Sequence, residues 1–286
     1  MVRLTGANLR RIGARVGSMA MAAGLLAALG SAANAAEPQP WQLDFQPPAT
    51  PITERIHAFH NELLVIITLI TVFVMGLLLY VIVRFRARAH PVPTRTSHNS
   101  TIEILWTVIP VLILVTIAIP SFKLMYYMDE VPKSDMTIKV TAHQWYWSYE
   151  YPDQKVGFDS NLVQEKDLKP GQMRLLAVDN PLVVPEKTNI RVQVTGTDVI
   201  HSWFVPSFGV QEYAIIGRLN EAWMNVERPG TYYGECNQIC GVNHAFMPIE
   251  VKVVSKGDFQ KWLGDAKKKF AIDAPADQPR LAAATN

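Results

Sequence analysis

Cys236-Asn-Gln-Ile-Cys240-Gly-Val-Asn-His244-Ala-Phe-Met247 holds both cysteines of the 286-residue chain, one of its seven histidines and a methionine. Strand-like runs precede and follow it, so it reads as a loop between strands. Thiolate, imidazole and thioether form a soft ligand set, and such sets select copper over magnesium or calcium. A further imidazole, His201, stands in Asp198-Val-Ile-His201-Ser-Trp-Phe-Val-Pro, a separate strand start that a sandwich can bring alongside. Spacing alone leaves several readings open. Cysteines outside the cytosol pair by default as a disulfide, although closing so short a loop restrains the unfolded chain little. Tetrahedral zinc accepts two sulfurs and two nitrogens, but a thioether is a poor zinc ligand. Two thiolates can instead bridge two copper ions, leaving one imidazole for each. An electron shared across short sulfur bridges changes the geometry little on reduction, which suits electron transfer.

Outward from the loop, the second half of the chain has β character. Thr137–Thr141 and Asn189–Thr195 alternate, and strands are expected at Gln144–Tyr151, Arg174–Val178, His201–Val205, Glu221–Val226, Thr231–Gly234 and Pro248–Val254. Gly171, Gly196, Gly209, Gly217 and Gly230 punctuate these runs at intervals that suit an all-β sandwich, here residues 136–256. Beyond Gly257, Asp258 is expected to cap a short helix over 257–270. The Ala- and Pro-rich tail, 271–286, has the composition of a disordered segment. There is no internal repeat.

The first half reads as membrane machinery. Arg3, Arg10, Arg11 and Arg15, the apolar run Met19–Leu29 and Ala33-Asn34-Ala35 form a secretory signal over 1–36. A retained anchor is the alternative, but the run is short against the roughly 20 residues that a spanning helix needs. Residues 37–62 are expected to be a periplasmic linker, Pro-rich and extended in its first part. Residues 63–83 and 104–122 are apolar enough to span a bilayer, and in lipid they must be helical. Arg84, Arg86, Arg88 and Arg95 in the loop 84–103 place that loop inside, and Asp129, Glu130 and Asp135 lie outside. An antiparallel transmembrane hairpin of two helices, carrying the sandwich on the outer face, follows. The setting is a bacterial inner membrane with the ligand-bearing domain in the periplasm. Ser100-Thr-Ile-Glu103 fits a capping box; Glu103 is also a carboxylate at the inner mouth of a helix, able to receive protons. A net charge of +2 argues against bulk nucleic-acid binding.

The copper-type loop, Asp-Val-Ile-His201-Ser-Trp, the aromatic run His143-Gln-Trp145-Tyr-Trp-Ser-Tyr-Glu150-Tyr and the helix hairpin occur in one order. Together, over roughly Pro51–Phe270, they resemble subunit II of the haem–copper cytochrome c oxidases. The resemblance implies a cupredoxin-like sandwich with a binuclear copper A centre. Cys236 and Cys240 would bridge two copper ions, His201 and His244 would bind one each, and Met247 and the Gln238 carbonyl would be weak ligands. Trp145 matches the position that takes electrons from cytochrome c, although a core tryptophan in a strand reads the same way. Glu150, Asp159, Asp179 and Asp198 match a docking patch for that basic cytochrome, or are solvated surface acids. Glu103 matches the mouth of a proton pathway. The implied partners are subunit I, with its haems and second copper site, subunit III and cytochrome c, besides membrane lipid. No haem-attachment Cys-x-x-Cys-His is present, so oxygen chemistry falls to a partner.

Two departures stand out. Many family members carry glutamate at Gln238, where it also binds magnesium or manganese; an amide is a weaker partner for a hard cation, which puts that second metal in doubt. Tyr213 and Ile216, usually an acid and a proline, alter the contact with subunit I near Arg218. A quinol-oxidase relative would lack the copper ligands. A membrane-tethered copper carrier or assembly protein would hold one labile, exposed ion, and a structural zinc domain would hold a colourless one.

Overall fold

The computed structural model describes residues 37–272 other than Pro93. The signal expected over 1–36 and nearly all of the tail expected to be disordered lie outside the described residues. Two long helices come first, α1 (Pro51–Arg84) and α2 (Ser100–Asp129). Both are long and apolar enough to cross a membrane. Apolar side chains such as Leu69, Phe73, Leu112 and Leu114 stay exposed along them, as expected of surfaces solvated by lipid or by other membrane helices. The two apolar runs read from sequence are therefore segments of longer helices. α1 starts at Pro51, whose missing N–H costs nothing in a first turn, and Thr50 caps it by accepting from the Thr53 amide at 3.2 Å. α2 is capped by Asn99, not Ser100. Asn99 Oδ1 accepts from Ile102 N at 3.2 Å, and Glu103 reaches back to Asn99 N at 3.1 Å.

Ten strands follow: β1 (Met136–His143), β2 (Tyr146–Tyr151), β3 (Val156–Ser160), β4 (Leu182–Pro185), β5 (Ile190–Gly196), β6 (His201–Val205), β7 (Val210–Ala214), β8 (Asn220–Met224), β9 (Gly230–Cys236) and β10 (Pro248–Val254). They form two five-stranded sheets, β3-β2-β1-β5-β8 and β4-β10-β9-β6-β7. β1 runs parallel to β5 and β10 parallel to β4; the other neighbours are antiparallel. Alternation explains the core between the sheets. Ile138, Val140 and Ala142 of β1, Trp147, Tyr149 and Tyr151 of β2, and Ile190, Val192 and Val194 of β5 are all fully buried. The protein is thus a two-helix membrane hairpin carrying an all-β cupredoxin-like sandwich.

α3 (Lys256–Phe270) closes the described chain, laying Phe259, Leu263 and Ala266 onto the sandwich beside Tyr151 and Phe158. Its cap is Ser255, which accepts from Asp258 N at 3.1 Å; Asp258 lies inside the first turn and pairs with Lys261 at 2.8 Å. The strand expected at Arg174–Val178 is absent. Leu175 has φ 66° there, and the amides of Leu176 and Ala177 both turn back to Met173 O, so only Val178 makes an isolated bridge, with Leu162. The unanticipated strands are β3, which contains a glycine, β4, buried on both faces and therefore without alternation, and the short β7.

Candidate metal centre

Two neighbouring strands deliver the first ligands. His201 is the first residue of β6 and Cys236 the last of β9, and the strands are in register at Trp203↔Cys236 and Phe204↔Glu235. Gly234 allows this pairing: a Cβ there would land on the Phe204 carbonyl oxygen and lie 3.1 Å from Val205 Cα. From Cys236 the chain loops out and returns through a short 3-10 turn, His244–Phe246, into β10. Gly241 sits at φ 122°, and a Cβ there would meet Trp145 Cζ2 at 2.9 Å; the close approach and the backbone both call for glycine.

The sulfurs of Cys236 and Cys240 lie 3.8 Å apart and both cysteines are free. Each thiol has its own imidazole: His201 Nδ1 is 3.8 Å from Cys236 Sγ, and His244 Nδ1 is 3.5 Å from Cys240 Sγ. Met247 Sδ lies 3.5 Å from Cys240 Sγ, and Gln238 O 3.3 Å from Cys236 Sγ. The ligand atoms of His201, Cys236 and Cys240 fall within 4.8 Å of one another, and all three residues are buried. The fit to a metal can be tested on these distances. A first-row ion sits about 2.3 Å from sulfur and about 2.0 Å from nitrogen, so one ion spans at most about 4.6 Å between sulfurs and about 4.3 Å between sulfur and nitrogen. The sulfur–sulfur separation and the distance from each sulfur to its own imidazole lie within those spans. Three sulfurs and two imidazoles suit soft or borderline copper and do not suit a hard cation.

The electrostatics agree with a site awaiting positive charge. Burial would push the Cys236 thiol up, but the His201 imidazole and backbone groups of Ser202 and Gln238 outweigh it and bring it down to about 7. Cys240 is pushed up to about 12, first by burial and then by the charge on Cys236. Burial alone would lower His201, yet its contacts with Cys236 and Asp198 raise it. Of the two thiols, Cys236 is thus the readier to give up its proton, and Cys240 the one whose proton a metal would have to displace.

A second ring of contacts holds the ligands. Asp198 Oδ1 is 2.9 Å from His201 Nε2, and Asp198 Oδ2 accepts from the Gln144 amide at 2.6 Å. Gln144 Nε2 and Trp145 Nε1 both donate to Cys240 O, at 2.8 and 3.2 Å. Trp147, fully buried, donates to Met247 O at 3.1 Å. Trp145, half-buried, is thus one peptide plane from a candidate ligand. Gln144, Trp147 and Gly241 were not singled out from sequence for roles here.

The four acids expected to form a docking patch are not alike. Asp198 is committed to His201. Glu150 faces Lys139 at 3.5 Å. Asp159 accepts from Ser148 Oγ at 2.6 Å, and Asp179 from Asn161 N at 2.7 Å; both are exposed. Glu103 lies at the other end of α2 from the sandwich-facing Tyr127, roughly 36 Å away at 1.5 Å per residue.

Comparison with known proteins gives consistent matches. Residues 136–254 match the family model described as cytochrome c oxidase subunit II, periplasmic domain, and residues 38–124 the model for its transmembrane domain. A probable cytochrome c oxidase subunit 2 of Rickettsia bellii is 50% identical over 250 residues, covering 87% of this chain and 92% of that protein. Cytochrome c oxidase subunit 2 of Oenothera berteroana is 50% identical over 234 residues, covering 79% and 91%. Among solved structures, the periplasmic domain of subunit II of cytochrome oxidase (CoxB) of Bradyrhizobium japonicum is 53% identical, covers 50% of this chain and 100% of that one, and superposes with a TM-score of 0.47.

Proposed function

Because the chain belongs to the cytochrome c oxidase subunit II family, we propose that it is the electron-input subunit of a proton-pumping oxidase, working from a binuclear copper A centre. When bound, that centre would supply one-electron transfer, taking electrons from cytochrome c and passing them towards haem in subunit I, where oxygen would be reduced to water. Cys236 and Cys240 would bridge the two ions, His201 and His244 would hold one each, and Met247 and the Gln238 carbonyl would complete the set. The observation that carries the reading is the pair of free sulfurs 3.8 Å apart, each beside its own imidazole.

The chain's own residues supply placement and exclusion of water. Burial of His201, Cys236, Cys240 and Met247 keeps solvent from the ligand atoms, and Asp198 fixes the His201 ring as carboxylates do for metal-bound histidines. Trp145, half-buried and hydrogen-bonded to Cys240 O, is the intake point for the donor. Glu150, Asp159 and Asp179 would steer a basic cytochrome; Asp198 serves His201 as much as docking. Glu103, at the opposite end of α2, would take protons from the inner side. The membrane would be the bacterial inner membrane, with subunits I and III as neighbours. Gln238 offers a hard magnesium or manganese ion only an amide, so we do not assign that ion here.

The test is reduction of the purified complex by soluble cytochrome c, followed with oxygen uptake. Cys236→Ser should abolish rapid reduction and oxygen uptake while the complex still assembles. Full activity in an assembled Cys236→Ser complex would refute the assignment.

A further inference from the structure

The stretch expected from sequence to be an extended linker ends in a buried clasp. Ala49, Thr50, Ile52 and Thr53 are only 1–3% exposed, although they belong to a Pro-rich run leading into a membrane helix. Their partners lie in the turn Pro206–Gly209, which directly follows β6, the strand that begins with His201. Thr50 Oγ1 donates to Phe208 O at 2.7 Å and Thr53 Oγ1 to Ser207 O at 2.9 Å. Ala49 N donates to Ser207 O at 2.9 Å, and Ala49 O accepts from Glu227 N at 3.1 Å. Arg228 also donates to Pro48 O. Gly209 closes the joint. It has φ 63°, and a Cβ there would stand 2.8 Å from Ile56 Cδ1 and 3.0 Å from Thr53 Oγ1. The outer end of α2 is tied independently: Trp223 Nε1 donates to Tyr127 O at 3.3 Å, and the Arg55 guanidinium lies 3.5 Å over the Tyr127 ring.

We infer that this clasp is a positioning element for inward electron transfer: Thr50, Thr53 and Gly209 lock the ligand-bearing sandwich to the end of α1 and so set how far its metal centre stands from the acceptor in the membrane. The inference rests on the function proposed above. A sandwich hung on a free linker would sample many heights over the membrane; buried backbone and side-chain hydrogen bonds on both sides of one turn allow one. None of these hydrogen bonds involves a candidate metal ligand. Failure of the clasp should therefore leave the copper centre intact and change only what depends on placement.

The experiment uses the assembled oxidase. Gly209→Ala drives a methyl into the joint, and the paired Thr50→Val, Thr53→Val variant removes both hydroxyl donors at nearly constant shape. Thr50→Ser with Thr53→Ser keeps the donors. Three readouts are taken: the copper spectrum, the rate of reduction of the copper centre by cytochrome c, and the rate of onward transfer to haem. Amide exchange at Ala49 and Glu227 reports the clasp itself. We expect an unchanged spectrum and unchanged donor reduction. Onward transfer should be slower in Gly209→Ala and in the valine pair and normal in the serine pair, with faster amide exchange in the two slowed variants. If Gly209→Ala does not assemble, the valine and serine pairs decide on the same readouts. Faster exchange at Ala49 with onward transfer at the parent rate would overturn the inference, as would slowing accompanied by a changed copper spectrum. Absence of a two-copper signal in the parent complex would instead strike at the function proposed above.

Discussion

Gly234→Ala should destroy the metal centre from a position that is not a ligand. The added Cβ would fall on the carbonyl oxygen of Phe204, 3.0 Å from its carbon and 3.1 Å from Val205 Cα. All of these are backbone atoms of the neighbouring strand, so no side chain can swing away. Reaching an ordinary van der Waals separation requires β6 and β9 to part by about 1 Å. That movement is enough. His201 Nδ1 and Cys236 Sγ are 3.8 Å apart, and a single ion reaches across at most about 4.3 Å between sulfur and nitrogen. The cost to folding follows from the same contact. Losing the short β6–β9 pairing forfeits about 1 kcal/mol per hydrogen bond, and overpacking adds about 1–3 kcal/mol, giving roughly 3–5 kcal/mol of a total stability of about 5–15 kcal/mol. The assay is denaturant unfolding of the purified chain in detergent, with copper counted per chain before unfolding. Loss of bound copper together with an earlier midpoint is expected. A Gly234→Ala chain that keeps its copper and unfolds within about 1 kcal/mol of the parent would show that the strands do not approach as described.

Other outcomes follow from the surroundings of the site. Asp198→Asn removes the carboxylate from His201 Nε2 and should weaken copper affinity about 10- to 100-fold, measured by competition with a chelator, with the fold unchanged by circular dichroism. Copper uptake by metal-free protein should weaken as pH falls. Ligands must give up their protons to the metal: Cys240 is pushed up to about 12, Cys236 is brought down only to about 7 and His201 is raised, so the metal displaces a proton from Cys240 throughout and further protons as pH falls. A titration of affinity against pH should steepen on passing below about 7; a flat profile would contradict the assignment. Trp145→Phe keeps an aromatic ring against Gly241 but loses the bond to Cys240 O, and should slow reduction by cytochrome c while the copper spectrum stays close to that of the parent. Equal reduction rates would remove Trp145 from the intake route.

Strand positions were legible where side chains alternate between core and solvent, as in β5 and the first part of β1, because one buried face leaves a period of two in the residues. β4 hid because Leu182–Pro185 is buried on both faces. The Arg174–Val178 run looked like a strand, but its left-handed Leu175 turns the chain. Caps slipped by a residue or a few, from Ser100 to Asn99 and from Asp258 to Ser255, since serine, asparagine and aspartate all cap well and only the φ of the flanking residue separates them. At the candidate centre, the ligand types were visible in one loop and one strand start. The carboxylate on His201 and the Gln144 contact to Cys240 O were not, because Gln144 is brought to the loop only by the sheet. The clasp at Thr50 and Thr53 was least legible: proline-rich composition reads as linker, and its partners lie in a turn far along the chain.

The central claim, that the two sulfurs of Cys236 and Cys240 hold a pair of copper ions sharing one electron, is most directly tested by electron paramagnetic resonance of the purified, copper-loaded protein with copper counted per chain. Two ions per chain and an unpaired electron coupled equally to both nuclei are predicted. A single labile copper, a spectroscopically silent zinc, or active protein with Cys236 joined to Cys240 would contradict the claim.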